Sequence, residues 1–340
     1  MKIPIVFTAA LLSCSLAFSQ EADNPGRSAG ITIIPRLDFN PHFNLGVTGD
    51  NVGSRNDVTE FSLGNSSLYS LFEGNISENL SFSVCNHWLS DAPKDLYCYT
   101  LHSDSTNWLD WLNLTYTFGQ FSITVGKDMV TTGGFEFDDY DFDVHPDLCS
   151  GFWQNFSCYQ WGGKAAYTTP SENTSLSLQM TTSPFGERPF SSGLYNYSAQ
   201  WRGEYGPVRT LWSATAVNTA PKEYQYLFSL GQQVDIGSFT LGLDYLNKVG
   251  NADNILLDGT TLLGTAGFSA PSEKWEMNLK GGYEKINKGE AGWFLGLAAH
   301  WFPLKASRDL RIHGVVTYNN ALNSIGAAIG AIYYFNFSVF

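Results

Sequence analysis

The sequence predicts an all-β fold, a single transmembrane antiparallel β-barrel of about 16 strands with short turns at one end. The first supporting observation is a period-two alternation of apolar and polar residues that recurs along the chain. The second is a regular exchange of tight turns and longer loops between these segments. The third is the C-terminal segment Tyr333–Phe340, which is rich in aromatic residues and ends in phenylalanine. An even number of strands places both chain ends at the short-turn end of such a barrel.

The N-terminal segment has the pattern of an export signal. One lysine precedes an apolar run over residues 3–12, and Ala17-Phe18-Ser19 places small residues where a signal is cleaved. We therefore expect residues 1–19 to be a signal peptide and the mature chain to begin near Gln20. The alternative is a lipoprotein signal at Leu11-Leu12-Ser13-Cys14. The apolar run is too short to form a membrane-spanning helix.

The composition suits a membrane barrel, excludes a helical membrane protein and argues against a nucleic-acid-binding protein. The chain has 43% hydrophobic and 15% aromatic residues, yet no later run of about 18 apolar residues, which excludes a helical membrane protein. A barrel gives this composition because only every second strand residue faces lipid. The formal net charge is −13 and no basic stretch is present, which argues against a nucleic-acid partner. No linker divides residues 20–340, which we expect to form one barrel domain.

The alternation is clearest in three neighbouring segments near the C-terminus. In the middle segment, one face carries Trp293, Leu295, Leu297, Ala299 and Trp301. Aromatic residues at both ends of an apolar stripe fit a lipid face that crosses two membrane interfaces. The two flanking segments present similar apolar faces. The preceding segment carries Trp275, Met277, Leu279 and Tyr283, and the following segment carries Leu310, Ile312, Val316 and Tyr318. A water-soluble β-sandwich also alternates, but the terminal Trp and Tyr residues favour a membrane.

Connections between the segments alternate in length. The tight ones contain the residues that turns require and lie at 77–79, 119–120, 170–172, 206–207, 236–237, 271–272 and 303–304. The longer ones lie near 41–57, 89–106, 130–156, 184–192, 218–223, 247–257, 285–290 and 319–324. Bacterial barrels have short periplasmic turns and longer outer loops. The pattern therefore predicts that the chain resides in the outer membrane of a Gram-negative bacterium.

Four cysteines remain after the predicted signal, namely Cys85, Cys98, Cys149 and Cys158. An even number in an oxidising compartment predicts disulfides, and three connectivities are open. Pairs Cys85–Cys98 and Cys149–Cys158 are favoured because each pair brackets one loop. No cysteine spacing resembles a zinc site.

The third and longest loop, from about Thr131 to Phe156, is strongly acidic. Its candidate constriction residues are Glu136, Asp138, Asp139, Asp141, Asp143 and Asp147.

The hairpin before this loop resembles a known family. Residues 114–127, followed by Gly133-Gly134-Phe135-Glu136, are similar to the corresponding hairpin of the phosphate-selective porin O/P group. More broadly, the strand plan resembles the 16-stranded outer-membrane porins, whose third loop folds inward and narrows the pore. Phosphate selectivity in that group depends on rows of Arg and Lys, which are scattered here, and Ser338 stands where porins usually place an aromatic residue. The resemblance therefore implies the porin architecture, and phosphate is not carried over.

The acidic loop has three interpretations. Carboxylates in a narrow constriction lower the energy of cations and raise that of anions, which would make the loop a selectivity element. An exposed acidic loop would contribute only solubility. The spacing of Asp139, Asp141 and Asp143 also resembles the start of a calcium loop, but Val144 stands where such loops need glycine and no suitably placed Glu follows.

Basic residues on the predicted inner wall are the other candidate site residues. They are Arg202 and Arg209, which flank the Gly206-Pro207 turn, and Lys280 and Arg311 on C-terminal segments. If these basic residues face the acidic loop, the opposite charges on the two sides of the pore would produce a transverse electric field. The alternative is that they form ordinary salt bridges with Asp244, Glu276 or Glu284 on the same wall.

These patterns predict a porin, monomeric or trimeric, for passive diffusion of small hydrophilic solutes, with a bias toward cations or neutral solutes. An enzyme is not expected, since no segment has a distinctive nucleophile motif. The expected partners are outer-membrane lipid, the diffusing solutes, and either a homotrimer or other outer-membrane proteins. No cofactor is needed because diffusion follows the gradient. The alternative function is a non-conducting barrel that serves as a binding or assembly partner of surface proteins.

Overall fold

The computed structural model describes residues 27–34, 36–41, 59–62, 67–88, 109–139, 148–154, 159–186, 190–249, 259–285, 291–305, 307–320 and 324–339. Its strands are β1 (Arg27–Ile34), β2 (Arg36–Pro41), β3 (Thr59–Ser62), β4 (Ser67–Ser77), β5 (Leu80–Trp88), β6 (Leu109–Phe118), β7 (Phe121–Met129), β8 (Tyr159–Thr168), β9 (Thr174–Thr182), β10 (Tyr195–Tyr205), β11 (Val208–Ala220), β12 (Glu223–Ile236), β13 (Phe239–Val249), β14 (Thr260–Ser269), β15 (Trp275–Lys285), β16 (Gly292–Trp301), β17 (Leu310–Asn319) and β18 (Ser324–Val339). Two short helices, α1 (Phe135–Asp139) and α2 (Gly151–Gln154), belong to the third loop. No helix in the described ranges is long and apolar enough to cross a membrane. The predicted signal, residues 1–19, lies outside these ranges.

All described strands belong to one antiparallel sheet in which each strand from β4 to β18 pairs with its neighbours along the chain. Strand β1 pairs with both β4 and β18, so the ladder returns to the strand where it starts. Strand β2 continues the register of β1 on β18, since Ile33 lies opposite Tyr333 and Arg36 opposite Gly330. Strand β3 pairs with β2 as β4 pairs with β1. The 18 strands therefore occupy 16 positions, as the sequence predicts.

The predicted tight turns connect the strands at one end of the sheet. Residues 78–79, 119–120, 206–207 and 237–238 form two-residue turns, with Gly119, Gly206 and Gly237 at positive φ. The prediction of a longer loop at 218–223 is wrong, because β11 and β12 are joined there by a two-residue turn. Asn218 is buried, and its Nδ2 donates to the carbonyls of Ala220 (2.7 Å) and Glu223 (2.8 Å). Asn218, which the sequence suggests is part of a loop, thus connects the ends of β11 and β12 through its side chain.

The outer face of the sheet is apolar and exposed, as the alternation predicts. On β16, Trp293 and Trp301 are 45% and 40% exposed, whereas Phe294 and Ala298 on the opposite face are 4% and 0% exposed. Aromatic rings contact each other across neighbouring strands near both ends of β16. The Trp275 and Trp301 rings stack with centroids 5.8 Å apart, and the Trp293 and Tyr318 rings are tilted with centroids 4.9 Å apart. An apolar band between two aromatic girdles is typical of a lipid-facing surface.

The third loop folds into the interior and packs against one side of the inner wall. Its buried residues are Val130, Phe137, Leu148, Cys149, Phe152 and Trp153. They contact inward-facing residues of β11 to β18, namely Val217, Leu227, Leu246, Leu263, Phe294, Ala298, Val315 and Ala328. A soluble sandwich would bury such residues between two sheets, whereas here the inner face of one sheet encloses its own loop. The predicted inward-folding third loop is confirmed.

Candidate functional site

The entry of the third loop into the interior is fixed by polar side chains of the inner wall. Gln179 on β9 accepts a hydrogen bond from the backbone N–H of Thr131 (2.8 Å) and donates one to the carbonyl of Met129 (2.8 Å). Ser213 on β11 donates to the carbonyl of Gly133 (2.9 Å). Because buried backbone groups need partners, these contacts replace the strand pairing that ends at Met129.

Wall carboxylates bind the N-terminal ends of both loop helices. The backbone N–H of Glu136 in α1 donates to Oδ2 of Asp244 on β13 (2.7 Å). The backbone N–H of Gly151 in α2 donates to Oε1 of Glu284 on β15 (2.7 Å). A carboxylate at a helix N-terminus satisfies N–H groups that lack partners within the helix. The wall therefore caps both helices of the third loop.

A buried ion pair joins the loop to the same wall. Lys280 Nζ on β15 lies 2.5 Å from Oε1 of Glu136, and the two side chains are 5% and 1% exposed. Glu136 also accepts hydrogen bonds from the backbone N–H of Ser150 (2.8 Å) and from the Ser150 hydroxyl. Removing one partner of such a pair leaves an uncompensated buried charge, so the pair fixes the position of α1.

A second ion pair joins the loop to a more distant part of the wall. Arg202 on β10 donates to Oδ1 of Asp138 at 2.5 Å, and these side chains are 30% and 8% exposed. The loop is thus tied to β13 and β15 at one end of α1 and to β10 at the other.

A cavity of about 290 Å³ remains between the third loop and the inner wall formed by β4 to β8, β10 and β11. Its charged lining residues are Glu73, Asp128, Asp138, Lys164 and Arg202. Lys164 pairs with Asp128 at 2.7 Å, and Asn113 donates to the other oxygen of Asp128 (3.1 Å). Three aromatic residues, Trp111, Phe137 and Tyr159, also line it. The loop therefore fills the side of the interior next to β11 to β18 and leaves a cavity with a mixed charged and aromatic lining on the other side.

The structure brings together some of the predicted site residues. Glu136 meets Lys280 and Asp138 meets Arg202, whereas Arg209 pairs with Asp235 on β12 (3.3 Å) and lies 5.9 Å from the Phe135 ring centroid. Arg311 lies on β17. The other predicted acids fall at or beyond the end of α1: Asp139 is its last residue, and Asp141, Asp143 and Asp147 lie outside the described residues.

The remaining candidates concern metal and sulfur. No cluster of three or more ligating side chains occurs among the described residues, and the calcium candidates Asp141 and Asp143 fall outside them. Cys85 and Cys149 are buried, while Cys98 and Cys158 lie outside the described ranges. The disulfides therefore stay a prediction.

Sequence reasoning missed the roles of several wall residues. In the alternative interpretation, Asp244 and Glu284 pair with the candidate wall bases, but in the structure they accept hydrogen bonds from the loop backbone. Glu276 pairs with Arg308, which is not one of the candidate bases. Glu73 was not a candidate at all. Strand parity places all of these side chains inward, so parity was the available signal. The alternation of strand residues does not give the path of the loop, and that path determines which loop group each wall side chain contacts.

Comparison with known proteins gives matches among solved structures. No protein-family model matches the chain, and no curated protein does. The outer-membrane channel DcaP of Acinetobacter baumannii is 11% identical with a TM-score of 0.57, covering 93% of this chain and 99% of that one. A double mutant of the Rh. blastica porin is 12% identical with a TM-score of 0.56, covering 90% and 100%. A loop deletion mutant of OmpT, an outer membrane protein of Vibrio cholerae, is 12% identical with a TM-score of 0.55, covering 91% and 100%.

The chain has the fold of an outer-membrane porin. This agrees with the porin architecture that the hairpin before the third loop implies. The likeness supports the porin fold and gives no support for the phosphate-selective group in particular, and at these identities it concerns the fold alone.

Proposed function

We propose that the chain is a porin for passive diffusion of small hydrophilic solutes across the outer membrane of a Gram-negative bacterium. The observation that carries the proposal is the cavity of about 290 Å³ that the inward-folded loop leaves against the inner wall, where Glu73, Asp128, Lys164 and Arg202 line it. Barrels of 16 strands are wide enough to enclose an aqueous channel. The exposed apolar band on the outside supports a position in lipid. Diffusion through such a channel needs neither a cofactor nor an energy source.

We further propose that the constriction favours cations or neutral solutes. Of the loop acids, Glu136 and Asp138 are each paired with a wall base, so their charges are largely compensated. The preference is therefore assigned to Asp139, Asp141, Asp143 and Asp147, which follow in the same loop. Carboxylates near a narrow, partly desolvated passage lower the energy of cations and raise that of anions.

A salt gradient across a planar bilayer tests both proposals. The wild-type barrel should give discrete open steps with a reversal potential that indicates cation preference. The triple variant Asp139→Asn, Asp141→Asn, Asp143→Asn should conduct with the reversal potential shifted toward anions. Its matched control replaces three exposed turn residues, Glu78→Gln, Glu172→Gln and Glu273→Gln, and should keep the wild-type value.

Two outcomes would contradict these proposals. An unchanged reversal potential in the triple variant would remove the loop acids from selectivity. Silence from wild-type protein that still shows heat-modifiable migration on a gel would contradict the porin. That result would favour a non-conducting barrel that binds or assembles surface proteins.

A further inference from the structure

One carboxylate on the cavity wall differs from the other acidic residues there. Glu73 lies on β4, lines the cavity and is partly buried. Its Oε1 accepts a hydrogen bond from the Ser83 hydroxyl on β5 at 2.8 Å. In the part of the chain that the structure describes, no base forms an ion pair with it. By contrast, Asp128 is paired with Lys164 and Asp138 with Arg202.

The charged residues that line the cavity therefore have a net charge of one negative unit, and the carboxylate without a paired base among them is Glu73. Three lining carboxylates face two lining bases, and each base is already held by an aspartate. A partly buried charge is worth more to a ligand than an exposed one because solvent screens it less. A cation that enters the cavity thus finds its strongest attraction at the β4–β5 wall.

Two aromatic rings line the same cavity as this carboxylate, and one of them is linked to it through a serine. The indole Nε1 of Trp111 on β6 donates to the Ser83 hydroxyl at 2.7 Å, so one serine orients both Glu73 and Trp111. The Tyr159 ring on β8 lies with its centroid 5.7 Å from that of Trp111. Both rings line the cavity. Glu73, Trp111 and Tyr159 are referred to below as the wall subsite.

A carboxylate beside aromatic rings is the chemistry that recognises organic ammonium groups. The carboxylate attracts the charge, while the rings attract the cation through their negative faces and contact its alkyl groups. A small inorganic cation such as K⁺ has no alkyl groups for the rings to contact. We propose that the wall subsite binds solutes that carry a primary or quaternary ammonium group as they cross the channel. This inference rests on the proposed function, because the solute must reach the cavity through an open pore.

Choline is a suitable probe because it carries one quaternary ammonium and no acidic group. Added to one side of a bilayer in potassium chloride, it should reduce the current through the wild-type channel with a measurable half-blocking concentration. Glu73→Gln keeps the size of the side chain and a hydrogen bond to Ser83 but removes the charge. We expect this variant to raise the half-blocking concentration about fivefold or more. The matched control Glu78→Gln changes the same charge in the exposed turn of the same hairpin and should keep the wild-type value.

A second pair of variants tests the rings. Tyr159→Phe retains the ring and should retain the block, whereas Tyr159→Leu should raise the half-blocking concentration about threefold or more. A conducting Glu73→Gln channel with unchanged block would overturn the subsite and leave the porin standing. Equal weakening in Glu73→Gln and Glu78→Gln would also overturn it, since a general field would then be responsible. A silent wild-type barrel would overturn both the porin and the subsite.

Discussion

Replacing Lys280 by methionine is expected to release the third loop from the inner wall and to enlarge and destabilise the channel. Lys280 is the base paired with Glu136, and both side chains are almost fully buried. Two further carboxylates of the same wall, Asp244 and Glu284, accept hydrogen bonds from the backbone of the loop at the starts of α1 and α2. Loss of the ammonium would leave the Glu136 carboxylate buried without its base, at a cost of about 3–5 kcal/mol for a broken buried pair. Single-channel currents should become larger and noisier, and the temperature of heat-modified gel migration should fall.

Two variants separate loss of the ion pair from loss of a charge in general. Lys274→Met removes the same charge from an exposed turn and should behave as wild type. Adding Glu136→Gln to Lys280→Met removes the uncompensated charge and should restore part of the stability. Wild-type currents and stability in Lys280→Met would contradict the role of this pair in holding the loop.

Substituting Gly296 by valine is expected to displace the third loop by a different route. Gly296 faces inward on β16, and a Cβ atom built there would lie 2.2 Å from Cδ2 of Leu148. Leu148 is 1% exposed and packs in the apolar cluster that joins the loop to the wall, so it has little room to move. Overpacking of this kind costs about 1–3 kcal/mol. Conductance should change together with thermal stability, both measured against wild type.

The matched control for this variant lies on the lipid-facing side of the barrel. A Cβ at Gly264 on β14 would meet no atom within 4 Å, and this residue is exposed. Gly264→Val should therefore leave conductance unchanged. If Gly296→Val did the same, the packing of Leu148 against β16 would not be what positions the loop.

The barrel is predictable from the sequence because strand residues alternate strictly between two environments. The outward parity of Trp293, Leu295 and Leu297 is visible without any knowledge of the partner strands, and the exposed fractions agree with it. The residues of the connections then give the orientation of the strands, since Gly and Pro are common in the tight turns that lie at one end of the barrel. The exception at 218–223 shows the limit of this reasoning. Asn218 is polar and near a strand end, which suggests a loop residue in the sequence. In the structure its side chain donates hydrogen bonds to carbonyls at the two strand ends.

The contacts of the third loop are not predictable in the same way. Its acidity indicated where it would matter, but each contact depends on the path that the loop takes across the interior. Glu136 pairs with Lys280, a partner 144 positions away, through a fold that no local pattern encodes. Glu73 has no local signature either, since the role proposed for it depends on residues of other strands. Among the described residues no base pairs with it, and Trp111 and Tyr159, which line the same cavity, belong to β6 and β8.

Entry of neutral sugars of graded size into liposomes that contain the purified barrel tests the central proposal most directly. Neutral solutes report on the size of the passage and are insensitive to the charges of the loop. A channel narrowed by the third loop should admit small sugars, with an entry rate that falls steeply as the sugar becomes larger. No entry of even the smallest sugar, from protein that still migrates as a folded barrel, would contradict it and show that the loop closes the interior.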